Sequence, residues 1–538
     1  MANKPSKILR IVAGLLIIGG CLCAFWVIDS GLFNSTTKDP EVKTSTKLAP
    51  LTGSEPSVIS AKTSFDLFTE TPTVVVAHDN QTIAALIAAN NNLPTIDNSV
   101  LNSSLIENLK IEKIINVSSQ GFTIDQTIPN GVESLDIAVD CSNATSCDQA
   151  DLESAQTLFN DSSAISERYT NLEISKKDIQ TLADLALEKP EDQVNVIITD
   201  SSSLGSNFIL DLANLTLASE KTLTVSNDLR ANPEILKEIS VDTKIAIFGD
   251  KENSASYLSQ LAVVRSGIEL PGGGFLVKNP EGSKQKMYIA LYGHPSGGAL
   301  GVLGEQKVPE TIERVNKITA DYQELDPETE MVPTLEIIAT IASAFAEDDL
   351  TYSRKSKISE LKPLIDAAEE AGVYVVLDLQ PGRTDFLTQA KIYEEFLKRP
   401  NVGLALDPEW RLKPNQVHLR EIGSVQASEI NEVSQWMAEL VQENDLPQKM
   451  LILHQFNLSM IKNRSDLDTS HSEVQILIHA DGQGAQGAKV GTYEVLRKDA
   501  PENITWGWKN FYDEDTPRIL TPAQTLAVEP RPEFVSYQ

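Results

Sequence analysis

The strongest constraint on this chain is a series of short apolar runs in its C-terminal half that mostly stop at polar side chains. In order they read YIALYGHP (288–295), VPTLEII (332–338), VYVVLDLQPG (373–382), VGLALDPEW (402–410), MLILHQF (450–456), VQILIHADGQG (474–484) and ITWGWKNFYDED (504–515). Apolar runs this short, separated by helix-like stretches, read as buried parallel strands. Charged, amide, His and Trp side chains gathered where such strands end mark the face on which α/β folds keep their chemistry.

Strands are expected near 287–292, 332–341, 373–379, 402–407, 417–423, 449–455, 474–480 and 503–508, with helices at 308–324, 357–371, 384–399, 427–444 and 485–498. Eight strands with helices between most of them fit a (β/α)8 barrel of the TIM type over 283–538, with an open α/β sheet as the second choice. The stretch between the fourth and fifth expected strands is short and lacks a good helix.

Strand side chains alternate, so residues two apart share a face. In VGLALDPEW, Leu404 and Leu406 suit the helix layer, while Gly403, Ala405, Asp407 and Glu409 suit the barrel interior and its mouth. The same parity pairs Asp378 with Gln380, His479 with Asp481, Tyr292 with His294, and Trp506 with Trp508. A pocket at the C-terminal face is the natural expectation.

Carboxylates beside Trp and Tyr are the tools of sugar chemistry: aromatic faces stack on sugar rings and a carboxyl pair cleaves the glycosidic bond. Barrel glycosidases of the large retaining clan carry their acid after strand four and their nucleophile after strand seven, where Glu409 and Asp481 fall in this strand count. Asp378 and Asp407 are alternates for catalysis. Expected substrate contacts are His294, Gln380, His454, Gln455, His479, Trp506, Trp508 and Lys509. A plainer reading lets Arg411 neutralise Asp407 and Glu409, and Lys509 the acids at 513–515. His294, His454 and His479 also raise a metal at the mouth with Asp481 or Asp378, but no HxH or HExxH spacing fixes two ligands on one element. The expectation is therefore no metal and no other cofactor.

At 538 residues the chain exceeds what one core organises, so two folded domains are expected. Its formal charge of −31 argues against nucleic acid or an anionic membrane surface as partner, and leaves neutral glycans and cationic partners open. Lys4, Lys7 and Arg10 precede an uncharged run at 11–28, about 27 Å long as a helix, which reads as a signal anchor over 1–29 with the bulk of the chain outside the membrane. The alternative is a lipoprotein signal acylated at Cys21, within Ile18-Gly19-Gly20-Cys21. Cys141 and Cys147 are expected to form a local disulfide in that compartment. Residues 30–64, rich in Ser, Thr, Lys and Pro, read as a spacer.

Residues 65–275 contain a repeat, at 73–118 and 194–250, each copy reading strand, helix, short strand, helix, strand. This order, with its Ala-rich helix and LPT or TLTV strand, resembles the type 2 cell-wall-binding repeat of Gram-positive surface proteins, which implies an α/β module holding envelope glycopolymers. The later segment, about 280–525, resembles a family of extracytoplasmic actinobacterial proteins through YVVLDLQPGR, FLTQAK, RPNVGLALDPEWRL, IGSV, LPQK, LHQF, DGQG and WGWKNFYDEDTP. That resemblance implies location and architecture rather than a reaction. The combined expectation is a membrane-tethered envelope protein whose barrel hydrolyses an envelope polysaccharide. A non-catalytic glycan-binding or assembly protein and a metal-dependent hydrolase are the alternatives.

Overall fold

A computed structural model describes residues 46–48, 57–59, 64–124, 128–141, 151–190, 193–200, 204, 207–225, 228–231, 239, 243–249 and 251–538. The apolar run at 11–28, Cys21 and Cys147 lie outside these residues. Among the described residues no helix is long and apolar enough to cross a membrane, and Cys141 is disulfide-bonded.

The repeat is visible as two four-stranded parallel sheets with the same strand order. In the first, Thr95–Asp97, Thr73–Ala77, Lys113–Ser119 and Glu133–Val139 lie side by side. In the second, Ser219–Val225, Val194–Asp200 and Ile245–Phe248 take the equivalent places. The fourth place goes to Ser57–Ile59, a strand inside the stretch read as a spacer. Helices Gln81–Asn90 and Phe208–Ala218, one from each copy, are apolar on most faces and contribute to one core.

The C-terminal half is a closed barrel of eight parallel strands. In chain order they are Lys286–Gly293, Glu330–Ala342, Tyr374–Leu379, Val402–Leu406, Lys449–Gln455, Val474–Ala480, Thr505–Asn510 and Phe534–Tyr537. Pairing between the first strand and both the second and the eighth closes the ring. Helices Val308–Leu325, Ile358–Glu370, Ala427–Glu443 and Gln486–Arg497 cover the outside, the middle two with faces of Val, Ile, Leu, Met and Ala, the last through Tyr493 and Leu496.

One expected strand is absent. His418–Gly423 form a loop after strand four, and the eighth place in the ring is taken by Phe534–Tyr537 near the C-terminus. The loop cannot be a strand because Leu419 has φ +64° and is 86% exposed, while the Gly423 amide donates 2.7 Å back to the Glu409 carbonyl. Strands after the fourth therefore each stand one place earlier than the sequence count assigns. Asp481 follows strand six rather than seven.

Alternation along the strands separates two cores. Leu404, Leu406, Leu451, Leu453, Ile476 and Ile478 face the helices, whereas Tyr288, Tyr374, Val376, Ala405, Met450, Ile452 and Phe534 fill the lower interior. Tyr374 crosses this floor, edge-on to Tyr288 at 5.3 Å, and its hydroxyl accepts the Met450 amide at 3.2 Å. The crossing requires Gly403, since a Cβ there would stand 2.8 Å from both the Tyr374 hydroxyl and the Met450 carbonyl. The repeat domain and its connector meet the bottom of the barrel: Gln448 exchanges 2.9 Å hydrogen bonds with Phe275 and Val277, and Arg230 reaches the Ser472 carbonyl at 2.7 Å. The mouth at the other end is left clear of these contacts. Gly403→Ala should destabilise the barrel by about 1–3 kcal/mol through overpacking, read as a lower urea midpoint with unchanged slope.

Candidate active site

Above the apolar floor the same inward parity carries polar side chains, because the next residue two places along each strand still points inward. Strand one brings Tyr292, strand two Glu336, strand three Asp378, strand five His454, strand six His479, strand seven Lys509 and strand eight Ser536. Asp407 and Asp481 follow strands four and six directly, and Glu409 lies on the one-turn helix Pro408–Trp410 whose N-cap is Asp407.

His454 is the hub. Its Nε2 lies 2.8 Å from Glu336 Oε1 and its Nδ1 2.8 Å from Asp481 Oδ2, with the imidazole and Glu336 completely buried. Both ring nitrogens face carboxylate oxygens, so both donate and the ring is an imidazolium. Tyr292 donates to Asp378 Oδ2 at 2.9 Å and receives a weak bond from Gln380 at 3.4 Å. The Lys509 ammonium sits 3.5 Å from the centre of the Tyr292 ring. His479 packs edge-on to His454 at 5.0 Å, and its Nε2 lies 3.2 Å from the Ser536 hydroxyl. Gly507 makes room for that ring, as a Cβ there would come within 2.7 Å of it.

The electrostatics follow from five carboxyls sharing a dry chamber with two cations. Burial alone would deprotonate His454, but Glu336 and Asp481 overcome it and hold the ring well above the usual histidine range. Burial likewise opposes the Asp481 anion; its hydrogen bond from His454, the imidazolium charge and Lys509 outweigh that, and its carboxyl titrates below the usual range. The remaining acids are pushed up. Burial, and then Asp481 beside it, raise Glu409 to about 7. Asp378 rises to about 6 by burial, with Glu336 adding to the shift against His454, and Asp407 stands well above the ordinary carboxylate value, mainly by burial. His479 is held neutral by burial and by the charges of His454 and Lys509.

Glu409 is the member of this group that opens outward. Together with Trp410, Leu419, Arg420, Glu421 and Ile422 it lines a cavity of about 220 Å³. The Trp410 ring is set by an edge-on contact with His418 at 5.3 Å.

The expected site residues divide into two groups. Asp378, Gln380, Asp407, Glu409, His454, His479, Asp481 and Lys509 gather at the mouth or in the chamber below it. Trp506 and Trp508 do not: they face outward, edge-on to Tyr493 of helix Gln486–Arg497 at 6.1 and 5.7 Å, because Gly507 and Lys509 take the inward parity. Gln455 also faces outward, bonded to the Asn457 carbonyl at 3.2 Å. His294 is buried and bonded instead to Ser296 and Ser356, at 2.7 and 3.0 Å. The simple ion pairs are not formed either, since Arg411 pairs with Glu429 at 2.9 Å and Asp515 with Lys489 at 2.5 Å. Glu336 and Ser536 are additions to the expected site. Glu336 had a signal in the sequence, a lone acid inside the apolar run VPTLEII; Ser536 had none, since its strand was not recognised. The chain matches no protein-family model and no curated protein.

Asp378 and Glu409 keep protons in the folded state up to about 6 and about 7, whereas an unfolded chain releases them near 4. Through these two groups the folded state binds more protons over that interval, so their contribution to unfolding free energy falls as pH rises from about 4 to about 7, against a smaller opposing rise from His294, His418 and His479, whose folded values are lowered by burial. His454 extends the fall to higher pH: its stabilisation is full below about 6.5 and is lost as pH climbs through its raised folded value. Urea melts across this range should show the decline, and Asp378→Asn should make it shallower. A flat profile for the unaltered protein would contradict the burial of these acids. His454→Leu, which strands two carboxylates, should cost about 3–5 kcal/mol in the same measurement.

Proposed function

We propose that the barrel hydrolyses a glycosidic bond in a cell-envelope polysaccharide, with Glu409 as the acid and Asp481 as its partner. One observation carries this reading: Glu409, which lines the mouth cavity, and Asp481, whose charge acts on it, have environments that push their proton affinities apart, Glu409 to about 7 and Asp481 below the ordinary range. Such a split assigns an acid and an anion at neutral pH. Glu409 delivers its proton to the leaving glycosidic oxygen. His454 holds Asp481 Oδ2, which leaves Oδ1, an atom with no hydrogen-bond partner, to act on the anomeric carbon directly or through a water. Trp410, beside Glu409 in the mouth cavity, is the aromatic surface for a sugar ring, a part that Trp506 and Trp508 cannot play from the helix side.

With Asp481 after strand six, the reading rests on the chemistry of the pair and not on the strand positions of the retaining clan. The envelope setting rests on the anchor or lipoprotein signal in residues 1–29, on the resemblance to cell-wall-binding repeats, and on a charge of −31, which suits a neutral rather than an anionic polymer. Membrane tethering through that segment would present the mouth to material outside the cell.

Glu409→Gln and Asp481→Asn should each lower kcat/KM for release of reducing ends from neutral wall polysaccharide by about 10²–10⁴; Glu409→Gln should leave the urea midpoint unchanged, while Asp481→Asn, which removes a partner of His454, should also lower it. Activity of the unaltered enzyme should fall as pH rises through about 7, the point at which Glu409 loses its proton. Trp410→Ala should raise KM with a smaller effect on kcat. Full turnover by both carboxyl variants would sink the proposal.

A further inference from the structure

Beneath the Glu409–Asp481 pair, the chamber itself has a feature that acid–base work at the mouth does not use. Glu336 Oε2, Asp378 Oδ1 and His479 Nδ1 are buried and have no hydrogen-bond partner. Buried polar atoms nearly always find a partner, and three such atoms in one enclosed space call for a common cause. One donor atom from each of Glu336, His454 and His479 lies within 4.8 Å of the others. Asp378 Oδ1 lies 3.9 Å from His454 Nε2, outside that group of three.

The two imidazoles and Asp378 are held on their far sides. His454 Nδ1 is bonded to Asp481 at 2.8 Å, His479 Nε2 to Ser536 at 3.2 Å, and Asp378 Oδ2 to Tyr292 at 2.9 Å. Both imidazoles are thus fixed by an outer partner on one nitrogen, while Glu336 is held only by His454 Nε2 at 2.8 Å. Such outer partners are how metal sites orient imidazole ligands.

We propose that Glu336, His454 and His479 form a binding site for one divalent transition-metal ion, with zinc the best match. Two imidazoles and one carboxylate are a zinc donor set with a fourth position left for water; softer copper sites favour sulfur and harder calcium sites favour oxygen alone. Donors around a tetrahedral zinc stand about 3.3 Å apart, so the side chains close by roughly an ångström or less around the ion. On binding, the proton between His454 Nε2 and Glu336 leaves to solvent, and both atoms become ligands. Two positive charges enter a chamber in which carboxyls outnumber cations. The site goes beyond the glycosidase reading and does not depend on it.

The test is calorimetric titration of the full chain, stripped with chelator, with zinc chloride. The expected result is one equivalent bound and a melting temperature raised by on the order of 3–5 °C at saturating zinc, with no shift from magnesium. Cobalt should give visible bands of a four-coordinate site. His479→Gln and Ser536→Ala should weaken zinc binding by about 10-fold or more. Ser536→Ala leaves every ligand in place, so it carries the test even if a ligand variant misfolds. His294→Gln, outside the donor group, should bind zinc normally. Absence of zinc binding by the unaltered chain, or undiminished binding by both His479→Gln and Ser536→Ala, would overturn the proposal. Glu409→Gln should keep its zinc while losing sugar release, so failure of one reading is seen separately from failure of the other.

Discussion

A single imidazole, His454, ties strands two, five and six together in the barrel interior through Glu336 and Asp481. Taking three ionised groups out of water is costly, and their mutual attraction repays the cost only while every member is present. The clasp therefore makes the upper interior dependent on one geometry. It also sets the charge states around it, since the imidazolium and Lys509 can offset only part of the carboxylate charge, and the remaining acids must keep protons or find another cation.

The two ends of the barrel solve the problem of buried charge differently. At the bottom, Lys286 and Lys449 are buried cations with backbone carbonyls for partners, Leu276 and Gly273 for the first, Arg399 and Pro400 for the second. Burial draws their ammonium groups down to about 8 and about 7. They close loops and seat the connector from the repeat domain. At the top the excess is acidic, and its groups are left with unpartnered atoms. Between the two lies the layer of Tyr288, Tyr374, Met450 and Phe534, which excludes water from both sides. Stability is concentrated below and chemistry above.

Much of this was legible because period-two alternation is a local property. Alternation put Asp407 and Glu409 on the inward face with Gly403 and Ala405, and grouped Asp378 with Gln380 and His479 with Asp481. The failures were of two physical kinds. HLREIG at 418–423 has strand-like composition, but its apolar residues find no core to face, and Leu419 and Ile422 end exposed. Phe534–Tyr537, equally short, is a strand because the ring has a gap of its width between strands one and seven. In WGWK the large tryptophans suggested the inward side, yet the interior beside His479 has room only for Gly507, and the parity of the whole strand follows from that one contact.

The sequence by itself determined that the C-terminal half would be alternating strands and helices, that the N-proximal half would repeat, and which residues of most strands share a face. These follow from side-chain periodicity, which each segment carries without reference to any other. Only the tertiary structure decided which segment completes the ring, which parity faces inward in strand seven, and that Glu336 from strand two meets His454 from strand five. Those outcomes depend on closure of the barrel, a condition on all eight strands at once. Residues 118 positions apart become neighbours when that condition is met.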